Sequence, residues 1–152
     1  MHQIPARAPG HAIRIPWLQV YLDAAPIGQV LQAPWDVVFT DVDVVELDLV
    51  YISNQRAAII TPAHARGAPD LVVEIASPGT RRRDETLKRR LYERDGVTEY
   101  WVVDGDLDRI RIYRRAGDVF GRPLELTREA GDVLTSPLFP GLTLPLERVF
   151  RD

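Results

Sequence analysis

Residues 69–104, with the sequence PDLVVEIASPGTRRRDETLKRRLYERDGVTEYWVVD, decide the fold of this chain. The stretch opens with an apolar run over residues 71–76 that contains one acid, Glu74. Pro69 precedes the run and Ser-Pro-Gly follows it, so the pattern predicts a short buried strand. Because side chains alternate across a strand, we expect Asp70 and Glu74 to share one face of it.

The charged segment that follows predicts a helix over residues 81–94. Leu87 and Leu91 lie four residues apart, as they would on one face of a helix, and Gly96 supplies a left-handed stop just beyond it. Glu99–Asp104 then has the composition of a second strand. A strand, a helix and a strand of these lengths indicate a crossover connection within an α/β sheet.

Length and composition are those of an ordinary globular protein. The chain has 152 residues, 45% of them hydrophobic and 27% charged, and we predict one domain over residues 1–152 with a loose lead-in over residues 1–10. No apolar run approaches the roughly 18 residues that a membrane span needs. The N-terminus carries no export pattern, so the cytoplasm is the expected location. The absence of cysteine excludes a disulfide framework and a thiolate metal site.

The net charge of −3 argues against a large, sequence-independent electrostatic attraction to DNA. Charge is nevertheless concentrated locally, since Arg81, Arg82 and Arg83, together with residues 88–90, put six cations within ten positions. These cations form either a patch that contacts phosphates or a solvated helix face, and both interpretations stay open. The acids that would balance a solvated face are Asp84, Glu85, Glu93 and Asp95.

Carboxylates inside predicted strands are candidates for a catalytic metal site. A second apolar run, residues 44–52, contains Asp48, and burial of such a charge is costly unless a cation pairs with it. Hydrolysis of a phosphodiester needs an activated water and a group that stabilises negative charge, and Mg²⁺ held by carboxylates supplies both. Asp48, Asp70 and Glu74 can supply the ligands, and Lys88 a nearby ammonium. Ion pairs with arginine are the plain alternative.

The same residues resemble the Uma family of endonucleases, in the PD-(D/E)XK, or restriction-endonuclease-like, superfamily. The resemblance is dense over residues 69–104 and looser over about residues 28–152. It implies a mixed β-sheet flanked by helices and a hydrolase that cleaves DNA with Mg²⁺ or Mn²⁺, with a homodimer as a further candidate assembly. The matching residues are Pro69, Asp70, Glu74, Ser77, Pro78, Arg83, Asp84, Lys88, Tyr92, Gly96, Glu99, Tyr100, Trp101 and Asp104.

The resemblance also implies roles for individual residues. Asp48 corresponds to the first acidic position of the superfamily and Glu74 to the second. The signature lysine would stand two residues after Glu74, where this chain has Ala76. The family shows the same departure and takes a lysine from the following helix, a position that Lys88 matches. Asp70 either binds the metal as well or caps the beginning of its strand.

The N-terminal part lacks one acidic ligand of the superfamily and contains one histidine that the family shares. Many members carry a ligand glutamate on the first helix, but no glutamate precedes Glu46 in this chain, and Asp23 is the only acid in that region. His11 resembles a histidine at the start of the family's first helix, and we interpret it as structural rather than catalytic.

Three functions are therefore compared. The first is a metal-dependent endonuclease that hydrolyses phosphodiester bonds in DNA. The alternative is a catalytically weak or inactive nuclease-fold protein that binds nucleic acid or protein, and the third is a structural domain whose buried acids only form ion pairs. Metal titration separates the first from the third, and DNA cleavage with an Asp48 control separates the first from the second.

Overall fold

The computed structural model describes residues 16–76 and 81–150, without the side chains of residues 33–34 and 81–84. The predicted lead-in over residues 1–10 lies outside this description. Within it, no helix is long and apolar enough to cross a membrane.

The described part of the chain forms three α-helices and ten strands, with a short 3-10 helix after the second strand. The elements are α1 (Pro16–Ala24), β1 (Gly28–Val38), β2 (Val44–Ser53), the 3-10 helix (Asn54–Ile59), β3 (His64–Arg66), β4 (Leu71–Ile75), α2 (Arg81–Asp95), β5 (Glu99–Asp104), β6 (Arg109–Ala116), β7 (Val119–Phe120), β8 (Leu124–Thr127), β9 (Val133–Leu134), β10 (Leu144–Pro145) and α3 (Leu146–Val149).

The main sheet is mixed, with the strand order β3-β1-β2-β4-β5-β6-β7, and β8 also pairs with β6. β4 and β5 are parallel neighbours, with Val73 opposite Trp101, and α2 connects them. The remaining pairs are antiparallel, except for β1 with β3. The predicted strand–helix–strand crossover is confirmed, because consecutive parallel strands need a connection that returns the chain to the same edge.

One face of the sheet is covered by α1 and the C-terminal segment. Leu18 and Leu22 of α1 are fully buried there against residues such as Trp101. Trp17 and Tyr21 also pack against this core. Val20 is 65% exposed, because a helix turned to bury Leu18 and Leu22 points position 20 outward.

The other face of the sheet is covered by α2, which buries a polar stripe. Glu85, Lys88 and Tyr92 are buried at helical spacing, whereas Leu87, four residues before Leu91, is 50% exposed. A helix normally turns its apolar stripe inward. Here the sheet surface that α2 covers carries polar side chains. Lys88 is bonded to Glu74 of β4, and Glu85 to Arg111 and Tyr113 of β6, so the polar stripe of α2 faces the sheet.

The pairing of β1 with β2 contains a β-bulge beside Asp48. Gln32 pairs with Leu49 and Trp35 with Leu47, so two residues of β1 oppose Asp48 alone. Pro34, which has no N–H to give to the ladder, lies in the bulge. Bulges re-aim side chains and often accompany functional sites.

The bulge coincides with a change of side-chain phase along β2. Strict alternation would put Asp48 on the same face of the strand as Val50 and Ile52. Val45 and Leu47 pack in the same cluster as Val50 and Ile52, so regular alternation is interrupted at Asp48. The hydrophobic pattern alone did not reveal this interruption because both faces of β2 are apolar.

We expect Gly28→Ala to lower the free energy of unfolding by about 1–3 kcal/mol. A Cβ at this position would lie 2.5 Å from the carbonyl oxygen of Ile52 and 2.6 Å from the ring of Tyr51. Gly121→Ala is the matched control, since its Cβ would meet the nearest atom at an ordinary 3.7 Å. Urea denaturation measures both variants, and equal midpoints would contradict the predicted clash.

Candidate active site

The sheet separates between β2 and β4 at the two acids that the sequence singles out. The antiparallel ladder joins residues 49–51 to residues 71–73 and stops there. One step further along the same register, Asp48 would face Glu74. The N–H of Ile75 bonds no backbone oxygen of β2. It donates a hydrogen bond to the side-chain oxygen Oδ2 of Asp48 at 2.8 Å. The side chain of Asp48 thus occupies the place where the backbone ladder would have continued.

Glu74 is 5% exposed and is held by three donors from two other elements. Lys88 Nζ donates to Glu74 Oε1 at 2.8 Å, and the hydroxyl of Tyr92 donates to the same oxygen at 3.1 Å. The hydroxyl of Tyr100 donates to Oε2 at 3.2 Å. A buried carboxylate needs such partners, and this one is satisfied by an ammonium and two phenols.

The electrostatics of the group follow from its burial. Loss of solvation raises the pKa of the Glu74 carboxyl, and the charge of Asp48 acts in the same direction, while Lys88 and Tyr92 oppose the rise. Burial, together with the charge of Glu74, raises the pKa values of Tyr92 and Tyr100 well above their usual range. Both phenols therefore stay protonated and keep donating to Glu74.

A second buried acid supports this arrangement from the side of β6. Glu85 of α2 accepts hydrogen bonds from the hydroxyl of Tyr113 and, at 2.7 Å, from Arg111 Nη1. The ring of Tyr113 stacks on that of Tyr100, with the centroids 5.6 Å apart. Burial raises the pKa of Tyr113 to about 12, with the neighbouring Glu85 adding to the effect. The Tyr100 ring is thus fixed between Glu74 and a second polar network.

These supporting residues were not predicted from the sequence as part of the site. Tyr92 and Tyr100 are buried, and their hydroxyls face Glu74. One signal was available for Tyr92, since it lies four residues after Lys88 and therefore on the same side of the helix. No comparable local signal points to Tyr100, Tyr113 or Glu85, because their contacts join distant segments.

Asp70 contacts Ser53 and Arg56 and does not contact Glu74 or Lys88. It precedes β4, and its Oδ2 accepts the N–H of Ser53 at 2.7 Å, while Oδ1 lies 3.5 Å from Arg56 Nε. Arg56 Nη1 also donates to the carbonyl oxygens of Ala68 and Pro69. The structure therefore brings together Asp48, Glu74 and Lys88 but gives Asp70 an arginine. A metal-binding role for Asp70 stays a prediction that these contacts do not support.

Within residues 16–76 and 81–150, no group of three or more His, Asp or Glu side chains is placed to hold a metal ion. His11 lies outside the described residues. Asp48 and Glu74 nevertheless suit a hard cation, because Mg²⁺ usually keeps several waters and takes only one or two carboxylates from the protein. Asp48 uses Oδ2 for the N–H of Ile75, and no donor within the described part of the chain is bonded to Oδ1.

We expect Lys88→Met to lower the free energy of unfolding by about 3–5 kcal/mol, because it leaves the buried carboxylate of Glu74 without its cation. The double variant Lys88→Met/Glu74→Gln removes both charges and should recover most of the loss, since the amide can still bond the two phenols. Chemical denaturation of the wild type, both single variants and the double variant measures this coupling. Additive losses would contradict a direct ion pair.

Two comparisons with known proteins agree with this architecture. The sequence pattern of the Uma2 family, described as "Putative restriction endonuclease", matches residues 12–147. The crystal structure of "a putative nuclease belonging to DUF820 from Anabaena variabilis ATCC 29413" is similar with a TM-score of 0.71 and 18% identity, covering 88% of this chain and 73% of that one. No curated protein matches the sequence.

The structural similarity, at 18% identity, concerns the fold. It confirms the predicted α/β fold of restriction-endonuclease type, with a mixed sheet flanked by helices. The family pattern extends over most of the chain and includes α1, the central strands and α2. The predicted membership is confirmed, and this chain belongs to the Uma2 family.

Proposed function

We propose that the protein is a metal-dependent endonuclease that hydrolyses phosphodiester bonds in DNA. The observation that carries the proposal is the meeting of Asp48, Glu74 and Lys88 where β2 and β4 separate. Two carboxylates and an ammonium are the groups that metal-assisted phosphodiester hydrolysis requires. The nuclease descriptions of the Uma2 family and of the Anabaena protein support the same reaction class.

Asp48 and Glu74 would hold the cation, Mg²⁺ or Mn²⁺. When bound, such an ion lowers the pKa of a water and stabilises negative charge on the phosphoryl group. The chain's own hydrogen bonds orient both carboxylates in advance. Asp48 is oriented by the N–H of Ile75, and Glu74 by the phenols of Tyr92 and Tyr100. Carboxylates that are already oriented lose little conformational freedom when they bind a cation, which supports Asp48 and Glu74 as metal ligands.

Lys88 would stabilise charge that develops on the attacked phosphate. An ammonium has three N–H donors, and within the described residues Lys88 uses one of them, for Glu74. A phosphate oxygen beside Glu74 would therefore find a donor already in place. Lys88 comes from α2 and takes over the role of the lysine that the superfamily places where this chain has Ala76.

Three arginines outside the candidate active site are proposed to contact the phosphates of DNA. Arg81, Arg82 and Arg83 begin α2, and their side chains lie outside the described residues. Their role as phosphate contacts stays a prediction, as does assembly into a homodimer. α2 carries Lys88 one to two turns beyond these arginines in the chain.

Calorimetric titration with Mn²⁺ and with Mg²⁺ should give binding heats for the wild type and none for Glu74→Gln, because the substitution removes a ligand charge. Asp70→Asn is the matched control, since Asp70 bonds Ser53 and Arg56 instead of the candidate site. We expect it to keep the wild-type affinity. Equal heats for the wild type and a folded Glu74→Gln protein would exclude the proposed ligand set, and loss of binding in Asp70→Asn would add Asp70 to it.

Cleavage of a supercoiled plasmid tests the reaction itself. We expect Lys88→Met to lower turnover by about 10²- to 10³-fold while metal binding is retained, because its charge acts mainly in the transition state. Arg89→Gln removes a neighbouring charge from the same helix and is the control. The assay is run where circular dichroism shows each variant folded.

Turnover of Lys88→Met at the wild-type rate would contradict the role of Lys88. A wild type that nicks no plasmid with either metal would overturn the endonuclease proposal. That result would favour the alternative, a nuclease-fold protein that acts by binding.

A further inference from the structure

A cavity of about 400 Å³ lies beside the candidate site, between α2 and the beginning of β2. Its apolar walls are formed by Val45 of β2 and by Leu87 and Leu91 of α2. The exposure of Leu87 is accounted for by this position, since its side chain lines the cavity. The volume falls within the range of about 300–1,000 Å³ that is usual for small-ligand sites.

The rim of the cavity is positively charged. Lys88, Arg90 and Arg94 line it together with one acid, Asp43. Lys88 is paired with Glu74, and Arg94 with Asp43 at 2.7 Å and with Asp95 at 2.9 Å. Arg90 forms no ion pair with any residue in the described part of the chain, so it supplies the excess positive charge of the rim. An anionic ligand with an apolar portion is complementary to this combination.

The cavity is linked to the candidate site through Lys88. Its side chain lines the cavity, and its Nζ donates to Glu74 Oε1. A ligand in the cavity would therefore be separated from Glu74 by a single side chain. A nucleotide that is covalently connected to the reacting phosphodiester satisfies this geometry, because it is anionic, carries a flat apolar face and belongs to the substrate.

We propose that this cavity seats one unpaired nucleotide of the DNA substrate, with its base against Leu87 and Leu91 and its phosphate at Arg90. The inference rests on the proposed function, since it takes DNA as the substrate. A double helix is too wide to enter a cavity of this volume, whereas a single nucleotide that has left the stack fits. Burial of the flat face of a base against aliphatic side chains adds affinity through the hydrophobic effect, and every base has such a face.

The test measures binding of a fluorescent single-stranded oligonucleotide, and of the duplex with the same sequence, by anisotropy in EDTA, where no metal-dependent cleavage occurs. We expect the wild type to bind the single strand more tightly than the duplex. Leu87→Glu should weaken binding of the single strand about tenfold, through lost apolar contact with the base and charge repulsion. Leu124→Glu is the matched control, because Leu124 is 46% exposed on β8, compared with 50% for Leu87.

A second pair of variants tests the cationic rim. Arg90→Gln should reduce the dependence of log affinity for the single strand on log salt concentration by about 0.7, as expected for one lost phosphate contact. Arg89→Gln removes the same charge from the neighbouring position, where Arg89 pairs with Glu93 at 3.8 Å instead of lining the cavity. We expect this control to keep the wild-type salt dependence.

The outcomes separate this inference from the proposed function. Equal affinities of Leu87→Glu and Leu124→Glu, equal salt slopes of Arg90→Gln and Arg89→Gln, or tighter binding of the duplex would overturn the nucleotide site, whatever the cleavage assays show. Failure of the wild type to bind either oligonucleotide in EDTA would overturn the nucleotide site, whereas the endonuclease proposal is decided by plasmid cleavage with metal. The expected binding pattern in a protein that neither binds Mn²⁺ nor cleaves DNA would sustain the nucleotide site and overturn the endonuclease proposal.

Discussion

The arrangement of this protein depends on the buried pair of Glu74 and Lys88. Removing a carboxylate and an ammonium from water costs several kcal/mol for each ion, and their attraction offsets that cost only if the geometry is good and the remaining hydrogen bonds are made. The phenols of Tyr92 and Tyr100 complete those bonds. α2 therefore packs with its polar stripe inward, an orientation that apolar contact alone would not have selected.

The same constraint shapes the sheet around the pair. β2 and β4 are joined at one end, where Asp70 accepts the N–H of Ser53 and is paired with Arg56, and they separate at the other, where Asp48 replaces a backbone partner of Ile75. The bulge opposite Asp48 allows that side chain to leave the regular alternation of β2.

Taking the candidate lysine from a helix has a consequence for assembly of the site. In the usual superfamily pattern, the acid and the lysine belong to one strand and lie side by side as soon as that strand forms. Here Lys88 reaches Glu74 only when α2 has docked on the sheet, and Glu85 with Arg111 and Tyr113 contributes to that docking. Formation of the candidate site is thus coupled to tertiary packing, and the cavity beside it is formed by the same docking of α2 against β2.

The sequence by itself determined the central elements and the fold family. β4, α2 and β5 were predicted because their hydrophobic spacing and their Pro and Gly boundaries are local signals, and the resemblance to the Uma family indicated Asp48, Glu74 and Lys88 as a group. Only the tertiary structure decided which stripe of α2 is buried, that Asp70 pairs with Arg56, and that Tyr100 and Tyr113 support Glu74. Periodicity specifies which residues share a face of one element, whereas the partner of that face comes from segments far apart in the chain, and their contact energies are decided only when the elements pack together.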